Sequence, residues 1–233
     1  MARHRPTAEG GYQRGEETRL RIVEAAVAVF AERGYDGAST REIAAAAGVN
    51  APAIQYYFDG KEGVYLACVE HLIERLWQRM GPSVEAAHGA LADPATPDQL
   101  LIEISLQLLS AVLASIQDDP QTTAMGNFLE RHQAGLCPPS ATQAFEERFK
   151  ARISQVIRLL IARLAGLAVD DERTVIHAMA LFTQGLAFRI RKPGLLAALK
   201  WTSIDQAQME RVRDVVLTQA RFTLEGLARQ KGA

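Results

Sequence analysis

Residues Ser39–Phe58 read STREIAAAAGVNAPAIQYYF, and this stretch predicts two short helices joined by a tight turn. The first helix begins with a Ser-x-x-Glu capping box, in which the Ser39 hydroxyl accepts from the backbone of Glu42 and the Glu42 carboxylate reaches back. Gly48 suits the left-handed conformation that ends a helix, and Asn50 can cap the next helix. The pattern is that of a helix-turn-helix, whose second helix enters the DNA major groove.

The apolar side chains of this stretch fit close packing of the two helices. The run from Ala44 to Ala47 keeps the contact between the helices small, and Val49 is placed to fill the space beside the turn. In the second helix, Ile54 and Phe58 lie one turn apart on the inward face. An Ala-rich helical hairpin without DNA-binding function is the alternative that the motif by itself leaves open.

The flanking sequence extends the pattern on both sides. A predicted helix from about Thr18 to Arg33 precedes it, and the sequence Phe58-x-x-Lys61-Glu62 follows it. Over residues 16–66 this order resembles the DNA-binding domain of the TetR family of transcriptional regulators. The resemblance implies that the following residues contact DNA: Thr40, Arg41, Asn50, Ala51, Pro52, Ala53, Gln55, Tyr56, Tyr57 and Lys61.

The second helix of the motif suggests how a DNA sequence is read. Gln55 stands where the family commonly has an aromatic residue, and a Gln amide can bond adenine in two places. Ala51 and Pro52 offer apolar contact alone, for example to a thymine methyl group. Arg41, Gln55 and DNA shape are therefore expected to carry much of the specificity.

Charge and composition limit the class of protein. The chain has 233 residues, 48% of them hydrophobic, and a net charge of −1, which allows a DNA-binding module and a larger second domain. Residues 1–62 hold eight basic and nine acidic residues, so attraction to phosphate depends on where these charges lie. Arg3, His4, Arg5 and Arg14 belong to an N-terminal arm that either reaches a minor groove or is a disordered tail. No signal peptide or membrane span is predicted, so we expect a cytoplasmic protein without a membrane partner.

The cysteines and histidines do not form a pattern that binds metal. Cys68 and Cys137 are too few and too distant for a disulfide framework or a zinc ribbon, and no metal or cofactor is predicted. Cys137 precedes two prolines in a predicted loop, where it is either an incidental thiol or an exposed thiol sensor.

Beyond the motif the sequence predicts helices only, so the expected fold class is all-α with nine or ten helices. A helix break is predicted at Gly81-Pro82, and helix starts are predicted at Thr96, Ser140 and Ser203. The predicted domains are a flexible arm (1–15), a three-helix helix-turn-helix domain (16–62) and a larger C-terminal helical domain for effector binding and dimerisation (63–233).

Two late helices carry broader apolar surfaces than one core requires. In the TetR family two such helices pair with their symmetry mates in a four-helix bundle, so the resemblance implies a homodimer. An ordinary buried helix pair is the alternative. The predicted interface consists of Val175, Met179, Phe182, Leu186, Met209, Val212, Val216, Ala220, Thr223 and Leu227.

The middle helices carry enough apolar side chains to line a ligand pocket. The predicted ligand-binding residues are Leu109, Leu113, Met125, Phe128, Leu129, His132, Phe149, His177 and Phe182. Plain core packing is the alternative reading of each. The segments 128–139 and 184–193 resemble, more loosely, the C-terminal domain of the CecR-like subgroup of the TetR family, which suggests control of efflux or drug sensitivity.

The sequence predicts one function and leaves one alternative function open. We expect a repressor that binds a palindromic DNA operator as a homodimer and is released when a small apolar or amphipathic ligand in the C-terminal domain tilts the fourth helix. The rival is an effector-independent or architectural DNA-binding protein of the same fold. The sequence shows no converging catalytic groups, so no enzyme is predicted.

Overall fold

The computed structural model describes residues 8–114, 120–190 and 192–231, and the side chains of residues 13–114, 124–184 and 194–231. The described residues contain no strand, which confirms the all-α prediction. The helices are α1 (Ala8–Gly37), α2 (Thr40–Ala46), α3 (Ala51–Phe58), α4 (Lys61–Ala92), α5 (Asp98–Leu113), α6 (Pro120–Gln133), α7 (Pro139–Phe145), α8 (Ala151–Ala165), α9 (Glu172–Ile190), α10 (Lys192–Leu199) and α11 (Gln206–Gln230). One turn of π-helix, Glu146–Lys150, joins α7 to α8.

The chain divides into two compact units that do not follow its linear order. The first unit comprises Met1–Leu72 and Asn127–Phe145, and the second comprises Ile73–Gly126 and Glu146–Ala233. The end of α6 and all of α7 therefore belong to the same unit as the helix-turn-helix. A division at residue 62, which the sequence predicts, leaves this later segment out of the domain that contains the helix-turn-helix. We call the whole first unit the head.

An aromatic cluster forms the core of the first unit. The Tyr65 ring lies 4.9 Å from Phe30 of α1 in an edge-to-face contact and 4.9 Å from Phe128 of α6. Phe30 and Tyr65 are 1% exposed and Phe128 is fully buried. Aromatic pairs of this kind stabilise a core by about 0.5–1.5 kcal/mol beyond the area that they bury. The cluster thus joins α1, α4 and the later segment into one core.

Arg131 satisfies backbone carbonyls at the end of α1. Its Nε donates to the carbonyl of Ala31 at 2.8 Å, and its Nη2 donates to the carbonyl of Glu32 at 2.9 Å. The last carbonyls of a helix lack partners within the helix, so these bonds act as a C-terminal cap supplied by α6. α1 changes direction just beyond them, at Gly34, whose φ of 73° is one that glycine adopts without steric cost.

The first helix begins earlier than predicted. α1 starts at Ala8 rather than near Thr18, and therefore overlaps the predicted arm of residues 1–15. Of the residues that the sequence placed in that arm, Arg3, His4 and Arg5 lie outside the described residues, and Arg14 lies within α1.

The predicted helix break at Gly81-Pro82 is wrong. α4 continues to Ala92 with Pro82 inside the helix. Proline removes one helical hydrogen bond, but Pro82 is exposed here, so water can satisfy the carbonyl that loses its partner. Val84 and Ala87, beyond the proline, are buried, and their packing stabilises the continued helix.

Three predicted helix starts also shift. Pro97 rather than Thr96 is the N-cap of α5, and no side chain caps that helix. Ser140 lies inside α7 instead of preceding it. α11 begins with a capping box formed by Asp205 and Gln208, with both bonds at 2.8 Å, rather than at Ser203. Several neighbouring Ser, Thr and Asp residues can each act as an N-cap, and tertiary packing decides at which of them the helix begins.

Helix α5 is central to the second unit. It packs against α8, α9 and α11, and its Leu101, Leu108, Leu109 and Leu113 are fully buried. Within the described residues, no helix combines the length and apolarity needed to cross a membrane.

Candidate nucleic-acid interface

The N-terminus of α2 is fixed by the predicted capping box. The Glu42 amide donates to the Ser39 hydroxyl at 3.3 Å, and the Ser39 amide donates to the Glu42 carboxylate at 2.9 Å. Arg33 of α1 pairs with the same carboxylate. The Ser39 hydroxyl also donates to this carboxylate at 2.8 Å. This bond, followed by the bond from the Ser39 amide and by the nearby Arg33, lowers the pKa of the Glu42 carboxyl below its usual range. The box holds Thr40 and Arg41 on the first turn, where Arg41 is exposed.

The turn between α2 and α3 has the predicted compact geometry. The amide of Gly48, whose φ is 62°, donates to the Ala45 carbonyl at 3.1 Å, and the Val49 amide donates to the Ala44 carbonyl at 2.9 Å. Ala44 and Ala47 are buried at 2% and 4% exposure. Small side chains at these positions allow the close approach of α2 and α3.

Helix α3 presents the predicted inward and outward faces. The Asn50 side chain accepts from the Ala53 amide at 3.1 Å and so caps the helix, while Ile54 and Phe58 are buried. Ala51, Pro52, Gln55 and Tyr56 are exposed, and Ala53 and Tyr57 are half-buried.

Tyr56 and Gln55 provide the main polar groups on this outward face. Tyr56 is 83% exposed, and its ring meets Tyr57 edge to face at 5.0 Å. The Gln55 amide nitrogen donates to the Asp59 carboxylate at 2.7 Å, which orients the amide in the free protein. Asp59, with a φ of 57°, ends α3 in the left-handed conformation. The exposed hydroxyl of Tyr56, amide of Gln55 and guanidinium of Arg41 are the types of group that bond to base edges in a DNA groove.

Lys61 makes its hydrogen bonds within the head. Its Nζ donates to the carbonyls of Tyr35 at 2.8 Å and Ala38 at 3.0 Å, and it lies 4.4 Å from the centre of the Tyr35 ring. The sequence could not indicate this role, because both carbonyls precede Lys61 by more than twenty residues. The ammonium group links the start of α4 to the end of α1.

Replacing Lys61 by alanine is expected to lower the free energy of unfolding by about 2 kcal/mol, because two carbonyls lose a charged donor. Urea unfolding monitored by circular dichroism measures this change. Arg41→Ala is the control, since that exposed side chain should leave stability nearly unchanged. If Lys61→Ala is as stable as the parent protein yet loses operator affinity, Lys61 acts on DNA instead.

The predicted dimer residues occupy two different environments. Met209, Val212, Val216, Ala220 and Leu227 are buried within one protomer, as is Phe182, whereas Val175 is half-buried and Met179 and Thr223 are exposed; the side chain of Leu186 lies outside the described residues. The stripe on α11 therefore packs against its own chain. Four apolar side chains of α9 and α11 are exposed by 55–65%: Met179, which belongs to the predicted interface, and Ile176, Val215 and Phe222, which do not.

The predicted ligand residues are divided between the two units. Phe128, Leu129 and His132 belong to the first unit, and Leu109, Leu113, Met125, Phe149, His177 and Phe182 belong to the second. His132 is 3% exposed, lies beside the Tyr65 and Phe145 rings, and has its pKa lowered by burial. The other residues of the set are buried too, apart from Met125 and His177, which are half-buried.

Known proteins share both parts of this chain. Residues 22–68 match the family model "Bacterial regulatory proteins, tetR family", and residues 102–227 match that of the C-terminal domain of the HTH-type transcriptional dual regulator CecR. CecR of Shigella flexneri is 31% identical over 217 residues, which cover 93% of this chain and 96% of CecR. The chain belongs to the TetR family. Its C-terminal part is of the CecR type, so the resemblance seen in the sequence is confirmed.

Solved TetR-like structures share the fold. AibR in complex with isovaleryl coenzyme A and operator DNA has a TM-score of 0.64 at 16% identity, covering 87% of this chain and 97% of AibR. A transcriptional regulator from Pseudomonas aeruginosa PAO1 has a TM-score of 0.62 at 17% identity, covering 92% of this chain and 94% of that one. The curated relatives are transcriptional regulators, so this TetR-family chain is a regulator and not an enzyme.

Proposed function

We propose that this TetR-family regulator represses transcription in the cytoplasm by binding a palindromic operator as a homodimer. The observation that supports this most directly is the head, with its capped α2, its tight turn and the exposed outer face of α3. Thr40, Arg41, Ala51, Pro52, Ala53, Gln55, Tyr56 and Tyr57 form the proposed DNA-contacting set, while Asn50 shapes it as the cap of α3. A single α3 contacts too few base pairs to select one genomic site. A two-fold dimer contacts two half-sites and so doubles the number of base pairs that are recognised.

The dimer is proposed to form through the exposed apolar faces of α9 and α11. Ile176 and Met179 lie on α9, Val215 and Phe222 lie on α11, and all four side chains are at least 55% exposed. Together they would form an apolar patch of the kind that is typical of a protein interface. Two such helices from each protomer would form a four-helix interface.

A ligand that binds the C-terminal domain is proposed to release the operator. AibR, which shares the fold, was solved with both isovaleryl coenzyme A and operator DNA, and this supports a ligand-controlled function here. The ligand would act by favouring a state of the dimer whose heads fit the operator poorly. An effector-independent repressor of the same fold is the rival, and it predicts operator binding that no compound alters.

Operator binding is tested with the purified protein and the DNA flanking its gene, by fluorescence anisotropy at several salt concentrations. We expect Arg41→Ala and Tyr56→Ala each to weaken binding by about tenfold or more, since a good DNA contact is worth roughly 1–3 kcal/mol. Arg75→Ala is the matched control, because Arg75 is an exposed arginine of α4 outside the head motif. Unchanged operator affinity in both head variants would contradict the proposed contacts.

Ligand control is tested by adding a panel of apolar compounds to the complex of protein and operator. Release of the operator by a compound supports the ligand-controlled regulator, and operator binding that no compound alters supports its rival.

A further inference from the structure

A cleft of about 750 Å³ opens within the second unit, between α4, α5 and α11. None of the residues in the predicted ligand set lines it. Its lining residues are Arg79, Ser83, Glu103, Leu106, Gln107, Ser110, Ala111, Ala114, Arg213, Asp214, Leu217, Thr218 and Arg221. The cleft is large enough for a small ligand and open to solvent, so a ligand could enter without unfolding.

One ion pair fixes part of the cleft. Arg221 donates to both carboxylate oxygens of Glu103, at 2.7 Å and 3.0 Å. The hydrogen bond from Arg221 lowers the pKa of the Glu103 carboxyl. A bidentate pair of this kind holds both side chains in one orientation. The Arg221 guanidinium is therefore already paired with Glu103 of α5. A positive charge for a ligand must come from the other two arginines of the cleft.

Arg79 and Arg213 supply that positive charge. In the part of the chain that the structure describes, neither forms an ion pair within 4 Å, and the same holds for Asp214. Three arginines against the two carboxylates of Glu103 and Asp214 give the cleft a formal charge of +1. A guanidinium without a partner presents a planar fork of donors that suits a carboxylate or a phosphate.

Apolar side chains lie beside this charge. Leu106 is 6% exposed, Leu217 is half-buried, and Ala111 and Ala114 add small apolar groups. Ser83 and Ser110 contribute hydroxyls. The cleft thus combines a cationic region with a short apolar surface.

We propose that this cleft binds an amphipathic anion, in which a carboxylate or phosphate head lies between Arg79 and Arg213 and a short apolar chain lies over Leu106 and Leu217. The proposal rests on the proposed function only in naming the class of ligand that the regulator would sense. Binding to the cleft can be measured without DNA, so a failure of this proposal is separate from a failure of operator binding.

Isothermal titration calorimetry with octanoate and octyl phosphate tests the site, with octanol and octylammonium as probes of the same chain length. We expect both anions to bind more tightly than octanol and octylammonium to bind least. Inorganic phosphate alone should bind weakly, because it lacks the apolar chain. Equal binding of octanoate and octanol would overturn the proposal, and tight binding of inorganic phosphate would overturn the part assigned to Leu106 and Leu217.

Variants on α4 and α11 locate the binding. Arg79→Gln and Arg213→Gln should each raise the Kd for octanoate by about tenfold, since a charge-assisted hydrogen bond is lost. Asp214→Asn should lower that Kd, which a misfolded variant could not do. Arg211→Gln is the control, because Arg211 lies on the same helix outside the cleft lining. If neither Arg79→Gln nor Arg213→Gln changes the Kd for octanoate, the anion binds elsewhere. That result would overturn this proposal even if operator binding is intact.

Discussion

Gly63→Ala is expected to lower the free energy of unfolding by about 3 kcal/mol or more, because the site has no room for a methyl group. A Cβ at this position would lie far inside van der Waals contact with the carbonyl oxygen of Phe58 and 2.8 Å from its carbon. Both atoms are backbone, so relief requires moving the end of α3 or the start of α4. Since α3 carries the proposed DNA surface, operator affinity should fall along with stability.

Gly89→Ala gives the matched control for this prediction. Gly89 is exposed on the same helix, and a Cβ there would have no heavy atom within 4 Å outside its chain neighbours and its own helix backbone. Alanine is favoured over glycine inside a helix by about 1 kcal/mol, so this variant should be as stable as the parent or more so. Urea unfolding of both variants by far-UV circular dichroism makes the comparison. If Gly63→Ala unfolds at the same urea concentration as Gly89→Ala, the close contact between the end of α3 and the start of α4 does not exist in solution.

The double variant Met179→Asp with Phe222→Asp is expected to convert the proposed homodimer into monomers. These side chains are 63% and 65% exposed in the protomer, so the substitutions should leave its core intact. In a two-fold dimer they would place four carboxylates in one apolar interface, and burying unpaired charges there is strongly unfavourable. Operator affinity should then fall by about 100-fold or more, because a single head reads one half-site.

Sedimentation velocity measures the change in oligomeric state. Leu100→Asp is the control, because Leu100 is an exposed leucine of α5, 48% exposed, outside the proposed interface. That variant should sediment like the parent protein. A double variant that still sediments as a dimer would show that protomers associate through a different surface.

The head could be predicted in detail because its signals are local. Ser39 with Glu42, Asn50 with Ala53, and the inward pair Ile54 and Phe58 each act within one helical turn, and the structure places all of them as the sequence predicts. Lys61 differs, because its role depends on two carbonyls far back in the chain. No local pattern carries that information.

The C-terminal part shows the limit of periodicity. The stripe from Met209 to Leu227 indicates that one face of α11 is covered, but it does not say whether the cover comes from the same chain or from a partner. In the structure this face is buried within the protomer. Phe222 and Val215 do not follow the stripe, and only the three-dimensional packing shows that they remain exposed.

The second contribution to the head, residues Asn127–Phe145, bears on how such regulators can be recombined. Exchanging the helix-turn-helix between relatives by cutting the chain after α3 would separate Phe30 from Tyr65 and Phe128, and the end of α1 from Arg131. The transplanted module would then have an exposed apolar surface and unsatisfied backbone carbonyls at the end of α1. A chimaera of this protein therefore needs two pieces of sequence to move together, and a natural exchange of specificity would be easier through the outer face of α3 than through the whole module.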